Sequence, residues 1–278
     1  MAKKKYEEAN IQAIATAIRE KTGTEQTYNT SRMASGVEEV YEAGEQSGTD
    51  ETKLAIWKAM TANGERVYYA RTFYEGDFSD FTFPKPIKAT GNAGRMFYTY
   101  KGIKLPRKED IDLSELDVTS TSRNDYDSVN QTFGWASKVI FVPDYGIPAP
   151  AQYYQTFHRM SSVVEIEKIR SKETTKWDTA FGYDTSLTTV TIEGVIGTDF
   201  DIHWSPLSIA SLKSIITHLK DYTGTDNEYR YTLTVKASAF EALEAEGATA
   251  EYVNIYGDII PCTWAEMVDF LTWNLVKS

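Results

Sequence analysis

Histidine and cysteine, which often bind metals or carry catalysis, are rare in this chain, and the few that occur are scattered. The three histidines, His158, His203 and His218, form neither a HExxH motif nor a pair at i and i+4, and Cys262 is the single cysteine. A metal site needs several such ligands at close spacing, and an intramolecular disulfide needs two thiols. No GxSxG, Walker or GxGxxG motif occurs. The sequence therefore predicts no metal site, no cofactor and no catalytic residue.

Carboxylates are the one potentially catalytic group in abundance, because the chain contains 40 aspartate and glutamate residues. Glycoside hydrolysis needs two carboxyl groups about 5 to 10 Å apart. Glu193, Asp199 and Asp201 are close enough in sequence to supply such a pair. Solvated acidic loops explain the same residues equally well. We interpret them as loop residues and predict that the protein is not an enzyme.

The overall charge and hydropathy limit the partners of the chain. A formal net charge of −11 repels phosphate backbones, so counterion release cannot drive binding to nucleic acid. No stretch approaches the roughly 18 to 20 apolar residues of a membrane span. The first 21 residues lack the apolar region of a signal peptide. We expect a protein that is made in the cytoplasm, binds no nucleic acid and inserts into no membrane.

Aromatic residues supply the clearest pattern, which is a repeat of 24 residues. The stretches QTFGWASKVIF, QTFHRMSSVVE and TAFGYDTSLTT place Phe133, Phe157 and Phe181 at equal spacing. Apolar residues follow each phenylalanine at the sixth and ninth positions, and they are Val139 and Val142, Val163 and Ile166, and Leu187 and Val190. The coils of a solenoid must present the same inward side chains to their neighbours. Together with the leucine pattern of IDLSELDVTS, the repeat predicts an irregular leucine-rich-repeat-like β-solenoid.

Helical patterns precede the repeats, and an α/β pattern follows them. Two narrow apolar stripes are formed by Ile11, Ile14 and Ile18 and by Met33, Val37 and Val40. Such stripes cannot form a stable domain alone, so they predict an attachment or oligomerisation segment, or a segment that docks on the rest of the chain. After Pro206 we predict an N-cap at Ser208 and capping boxes at Ser238 with Glu241 and at Thr263 with Glu266. The expected α+β fold has N-terminal helices (1–48), the β-solenoid with its entry cap (49–205) and a C-terminal α/β cap (206–278).

Long stretches of the chain resemble a family of phage proteins. The segments IATAIREKTGTEQTYNTSRMASGVEEV, IWKAMTANGERVYYARTFY and LTTVTIEGVIGTDFDIHWSPLSIASLKSIITHLKDYTGT look like leucine-rich-repeat-like tail proteins encoded by phages and prophages of Gram-positive gut bacteria. The resemblance implies a virion structural protein of the tail, baseplate or fibre, bound to other virion proteins through its N-terminus. Together with the isoleucine stripe, it implies a homotrimer located in the virion. The stretch 91–130 departs from the family because it is poorly periodic.

A surface that recognises a host-cell glycan or protein is the remaining expectation. Positions that point outward after each phenylalanine, and aromatic residues in the loops between coils, offer the contacts that recognition requires. The candidate receptor-binding residues are Phe141, Tyr145, Tyr153, Tyr154, Glu165, Glu167, Trp177, Tyr183, Thr189 and Thr191. The alternative is that Trp177 and the tyrosines fill gaps between coils. The chain would then be a purely structural head or baseplate decoration protein that binds no receptor.

Overall fold

A computed structural model describes the C-terminal three quarters of the chain almost continuously. The described residues are 73, 76–125, 127–221 and 231–278, together with Ala15, Thr16, Arg19, Lys53, Leu54 and Trp57, which are helical. The six candidate attachment residues, Ile11, Ile14, Ile18, Met33, Val37 and Val40, lie outside the described residues. Their predicted role stays a prediction.

Ten strands and three helices with defined bounds occur in the described residues. In chain order they are β1 (Ile87–Gly91), β2 (Ile111–Leu116), β3 (Phe141–Val142), β4 (Glu165–Ser171), β5 (Thr189–Gly194), β6 (Phe200–Asp201), α1 (Ile209–Thr217), β7 (Tyr231–Val235), α2 (Ala237–Glu244), β8 (Ala250–Val253), β9 (Ile259–Cys262), α3 (Trp264–Phe270) and β10 (Trp273–Lys277). Three sheets are parallel, with strand orders β1-β2, β3-β4-β5 and β10-β7-β6, whereas β8 and β9 form an antiparallel hairpin.

The prediction of N-terminal helices followed by a β-solenoid and a cap is wrong. A solenoid stacks its coils along a continuous sheet, whereas the described strands divide into four separate sheets of two or three strands. Strands β3 and β6 are only two residues long, and the pairing of β4 with β5 shifts register between Ile166 and Ile169. Strand pairing therefore does not pass from one sheet to the next. All three helices with defined bounds follow β6.

The 24-residue spacing is nevertheless present in the structure, both in the register of the strands and in a stack of phenylalanine rings. Phe141 pairs with Glu165, and Glu165 pairs with Thr189. Nearly parallel rings follow one another through the core, with centroid distances of 4.9 Å from Phe73 to Phe97, 5.4 Å from Phe97 to Phe133, 5.6 Å from Phe133 to Phe157 and 5.5 Å from Phe157 to Phe181. All five rings are buried. The predicted inward orientation of the three repeat phenylalanines is confirmed.

Turns around the phenylalanines are built from residues with left-handed backbone. In each of the three repeats, the residues two before and two after the phenylalanine have φ between 50° and 64°; they are Gln131 and Trp135, Gln155 and Arg159, and Thr179 and Tyr183. Each turn donates backbone hydrogen bonds to the next one, such as Trp135 N to His158 O at 2.8 Å and Arg159 N to Gly182 O at 2.7 Å. Side chains at equivalent positions therefore lie beside one another on successive turns.

Helix α1 covers the outer edge of the sheet β3-β4-β5. The Ser211 hydroxyl accepts a hydrogen bond from Val190 N at 3.1 Å, and Ser208 N donates to Thr188 O at 2.8 Å. The buried face of the helix includes Leu212, Ile215 and Ile216. Backbone groups on the free side of β5 are thereby paired by the helix instead of by another strand.

Candidate recognition surface

A row of aromatic side chains runs along the turns of the repeat to the residues that follow β6. Ring centroids lie 5.1 Å apart for Tyr98 and Trp135, 4.8 Å for Trp135 and His158, 5.5 Å for His158 and Tyr183, and 4.4 Å for Tyr183 and Trp204. We call these five residues the aromatic row. Tyr183 is 45% exposed and Trp204 is 37% exposed, whereas His158 is buried. The row is continuous, and its outer end is open to solvent.

Two members of the aromatic row occupy the same position of the repeat and share its left-handed backbone. Trp135 and Tyr183 both stand two residues after a repeat phenylalanine. His158 takes its place between them because Gly182 leaves room for its ring. A Cβ at position 182 would lie 2.3 Å from His158 Nδ1, which is closer than real Cβ contacts come. A side chain at position 182 would displace the His158 ring, so the aromatic row depends on a glycine there.

Arg159 lies over the middle of the aromatic row. The carbon of its guanidinium is 4.9 Å from the ring centroid of Tyr183 and 5.7 Å from that of Trp135. The residue is exposed, and within the described part of the chain its side chain makes no hydrogen bond or ion pair. Stacking on aromatic faces uses the plane of a guanidinium but leaves its N–H groups free to donate.

Arg95, at the other end of the row, differs from Arg159 because its side chain is paired with polar groups of the protein. Its guanidinium lies 4.5 Å from the ring centroid of Tyr98. It also forms an ion pair with Asp125, and its Nε donates to Gln131 Oε1 at 2.7 Å. The charge of Arg95 is thus compensated within the protein.

Two titratable groups near Arg159 are buried, which disfavours their charged forms. Burial lowers the pKa of His158, and the charge of Arg159 acts in the same direction. The fully buried Asp184 accepts a hydrogen bond from Met160 N at 2.9 Å. Burial raises the pKa of Asp184 well above its ordinary value, although that hydrogen bond opposes the shift. Burial therefore works against a charged carboxylate at Asp184, and neither side chain forms a hydrogen bond or ion pair with Arg159.

Three of the predicted receptor-binding residues are buried, so the recognition role predicted for them is wrong. Tyr145 stacks against Phe97 and Phe133, with centroid distances of 5.8 and 6.3 Å, and Tyr153 stacks against Trp177 at 4.9 Å. All three side chains are at most 4% exposed. For these residues the gap-filling alternative holds, because successive turns pack their large rings against one another.

The other predicted residues lie nearer the surface. Tyr183 belongs to the aromatic row. Phe141, Glu165 and Thr189 lie side by side through the strand register, on strands instead of on the turns that carry the row. The remaining three are Glu167, which pairs with Lys108 at 3.0 Å, Thr191, which is exposed on β5, and Tyr154, which is half-buried beneath Arg123.

The sequence-based prediction of receptor-binding residues missed Tyr98, Trp135, His158, Arg159 and Trp204. A signal for two of these residues was present in the repeat. Aligning the three copies on their phenylalanines puts Trp135, Arg159 and Tyr183 at one position. That alignment predicts a shared environment, but it does not show which side of the turn faces solvent.

Each of the three carboxylates considered for glycoside hydrolysis contacts another side chain or a backbone N–H group. Glu193 pairs with Lys168 at 2.9 Å, Asp201 contacts His203 Nδ1, and Asp199 Oδ1 accepts from Thr232 N at 2.8 Å. Among the described residues, no three His, Cys, Asp or Glu side chains are grouped so as to hold a metal ion.

A narrow cleft beside the Asp144–Arg170 ion pair has room for about one water molecule. Arg170 binds both carboxylate oxygens of Asp144, at 2.7 and 2.8 Å, and this contact lowers the pKa of Asp144. Tyr145, Tyr153 and Ile169 supply apolar walls. The cleft is too small for a substrate and is best explained as part of the packing.

The geometry defines a class of surface, namely a row of aromatic rings with an exposed guanidinium that is suited to non-covalent contact. No protein-family model, curated protein or solved structure matches this chain. Of the helices in residues 76–125, 127–221 and 231–278, none is both long enough and apolar enough to cross a membrane.

Proposed function

We propose that the chain is a virion protein of a phage tail, baseplate or fibre, and that its aromatic row binds a glycan on the surface of the host bacterium. The assignment to a phage rests on the resemblance of three long segments to tail proteins. The assignment of recognition rests on one observation, the continuous aromatic row with Tyr183 and Trp204 exposed at its outer end.

Aromatic rings suit this function for a physical reason. Tyrosine and tryptophan offer a large rigid face at low cost in conformational entropy, together with a polar group at the edge. The C–H face of a sugar ring can pack on such a face while its hydroxyl groups remain hydrogen-bonded. A row of rings repeated from turn to turn can contact successive units of an extended polymer.

A purely structural role is the second candidate, and a different feature favours it. The tip of the β8–β9 hairpin exposes Val253, Ile255, Tyr256 and Ile259, with Ile255 and Tyr256 exposed by 74% and 83%. Apolar groups clustered in this way are typical of protein–protein contact sites. A decoration protein would use such a patch to pack against its neighbours in the particle.

Adhesion of the purified full chain to Gram-positive gut bacteria tests the proposed function. The double variant Tyr183→Ala with Trp204→Ala removes the exposed end of the row. Truncation of central aromatic contacts typically costs at least about 1 to 2 kcal/mol each, so we expect the affinity for cells to fall about tenfold or more.

The matched control is Phe270→Ala, which removes from α3 a ring as exposed as Trp204 and should leave adhesion unchanged. Urea unfolding of each variant shows whether the fold is intact. Equal adhesion of the row variant and the native chain would overturn the recognition role. The structural alternative would be favoured if the native chain adheres to no host while antibodies against the chain label the phage particle.

A further inference from the structure

We infer that the aromatic row selects an anionic glycan, and that Arg159 contacts a carboxylate or phosphodiester group of the polymer. This inference rests on the proposed function and specifies the chemical class of the ligand. It assigns a binding role to a guanidinium that stacks on two rings but whose N–H groups have no partner among the described residues.

The position of the Arg159 guanidinium favours contact with a polymer bound along the row. Arg159 lies over Tyr183 and Trp135, so a sugar polymer that packs along the row must pass next to its charge. The two rings restrict the guanidinium, which reduces the entropy lost when it binds a ligand. A planar guanidinium with free N–H groups matches the geometry of carboxylate and phosphate oxygens.

Arg159 differs from Arg95, at the other end of the row, in the contacts that its side chain makes. Both arginines lie over an aromatic ring, but Arg95 is paired with Asp125 and bonded to Gln131. Arg159 makes no such contact with any described residue, although the chain carries 40 acidic residues. The protein therefore neutralises one of these two arginines and leaves the other open to an external anion.

The local electrostatic environment of Arg159 also favours an external anion. Asp184 accepts a hydrogen bond from the backbone of Met160, which is adjacent to Arg159, but its burial favours the uncharged carboxyl form. His158 is buried between the rings of Trp135 and Tyr183, and this burial lowers its pKa and so favours the neutral form. The net charge of −11 repels anionic polymers from the molecule as a whole. Binding must therefore depend on contacts at this site.

The test measures binding of the full chain to three polymers of similar length: dextran, which is neutral, polygalacturonate, which carries carboxylates, and poly(glycerol phosphate), which carries phosphodiesters. We expect the native chain to bind at least one of the two anionic polymers about tenfold more tightly than dextran. The polymer that binds identifies which anionic group is recognised.

Arg159→Gln is the decisive variant, because Gln131 and Gln155 already adopt the same left-handed backbone in this chain. We expect it to lose the preference for the anionic polymer. Arg159→Lys keeps the positive charge but not the planar guanidinium, so we expect it to retain part of the preference for the anionic polymer. Lys172→Gln is the matched control, since it removes one positive charge from an exposed residue that follows β4; it should bind as the native chain does.

Failure of this inference is distinguishable from failure of the proposed function. If the chain adheres to host cells but Arg159→Gln adheres equally well, or if dextran binds as tightly as the anionic polymers, the role of Arg159 is overturned and glycan recognition stands. If the native chain binds neither cells nor any of the three polymers, both proposals fall. Urea unfolding of Arg159→Gln confirms that a loss of binding is not a loss of fold.

Discussion

At the residue scale, Asp184 shows most clearly how burial changes the chemistry of a side chain. The residue has no exposed surface, and one carboxylate oxygen accepts from Met160 N at 2.9 Å. The other oxygen, Oδ2, is buried and has no hydrogen-bond partner among the described residues. An ionised carboxylate is costly in such a place, so its pKa is raised.

Replacement of Asp184 by Asn should remove a pH dependence of stability. A raised pKa in the folded state contributes stability that is fully present below the unfolded pKa of about 3.9 and is lost as the pH rises through the folded pKa. Asn keeps an acceptor for Met160 N but does not ionise. We expect Asp184→Asn to match the native chain near pH 4 and to exceed it in free energy of unfolding at pH 7.

Urea unfolding of both proteins at intervals from pH 4 to pH 7 makes this comparison. The informative quantity is the difference between the two curves, because other carboxylates affect both proteins alike. A constant difference across that range would show that Asp184 ionises normally in the folded protein.

At the element scale, the contact between α1 and β5 completes the sheet β3-β4-β5. The Val190 N–H points at the Ser211 hydroxyl instead of at another strand, and both groups are buried. A polar group left without a partner in such a place costs much more than an average hydrogen bond contributes. The stability of this sheet edge therefore depends on the hydroxyl oxygen of Ser211.

Ser211→Ala should destabilise the protein by about 1 to 3 kcal/mol, because it leaves the buried Val190 N–H unpaired. Chemical denaturation measures the change. Ser214→Ala is the matched control: it lies in the same helix and is half-buried, and its hydroxyl has no partner among the described residues. Equal effects of the two substitutions would mean that the loss reflects helix packing and not the bond to β5.

At the scale of the whole molecule, the predicted homotrimer concerns the N-terminal segment 1–48. A narrow stripe formed by Ile11, Ile14 and Ile18 buries too little surface to fold alone, and copies of the segment can supply the missing contacts. We expect light scattering to give a trimeric mass for the full chain and a monomeric mass for a chain that starts at Asp50. Monomers in both cases would contradict an oligomerising N-terminus.

Features that depend on local sequence were predictable. The 24-residue spacing identified Phe133, Phe157 and Phe181 as core residues, because equal spacing and equal chemistry require equal environments. Ser208 and Thr263 were correctly predicted as N-caps, since a cap depends on residues within one helical turn. The capping box at Ser238 was wrong: α2 begins at Ala237, with Lys236 as its N-cap.

Features that depend on contacts between distant residues were decided only by the tertiary structure. The repeat did not reveal that pairing stops between sheets, since register is set by neighbouring turns and not by spacing alone. Nor did composition separate the buried Tyr153 and Trp177 from the exposed Tyr183. The sequence by itself determined which positions repeat and that the three repeat phenylalanines enter the core, because both follow from local periodicity. Which rings face solvent, and which arginine lacks a carboxylate, depends on residues brought together from different turns.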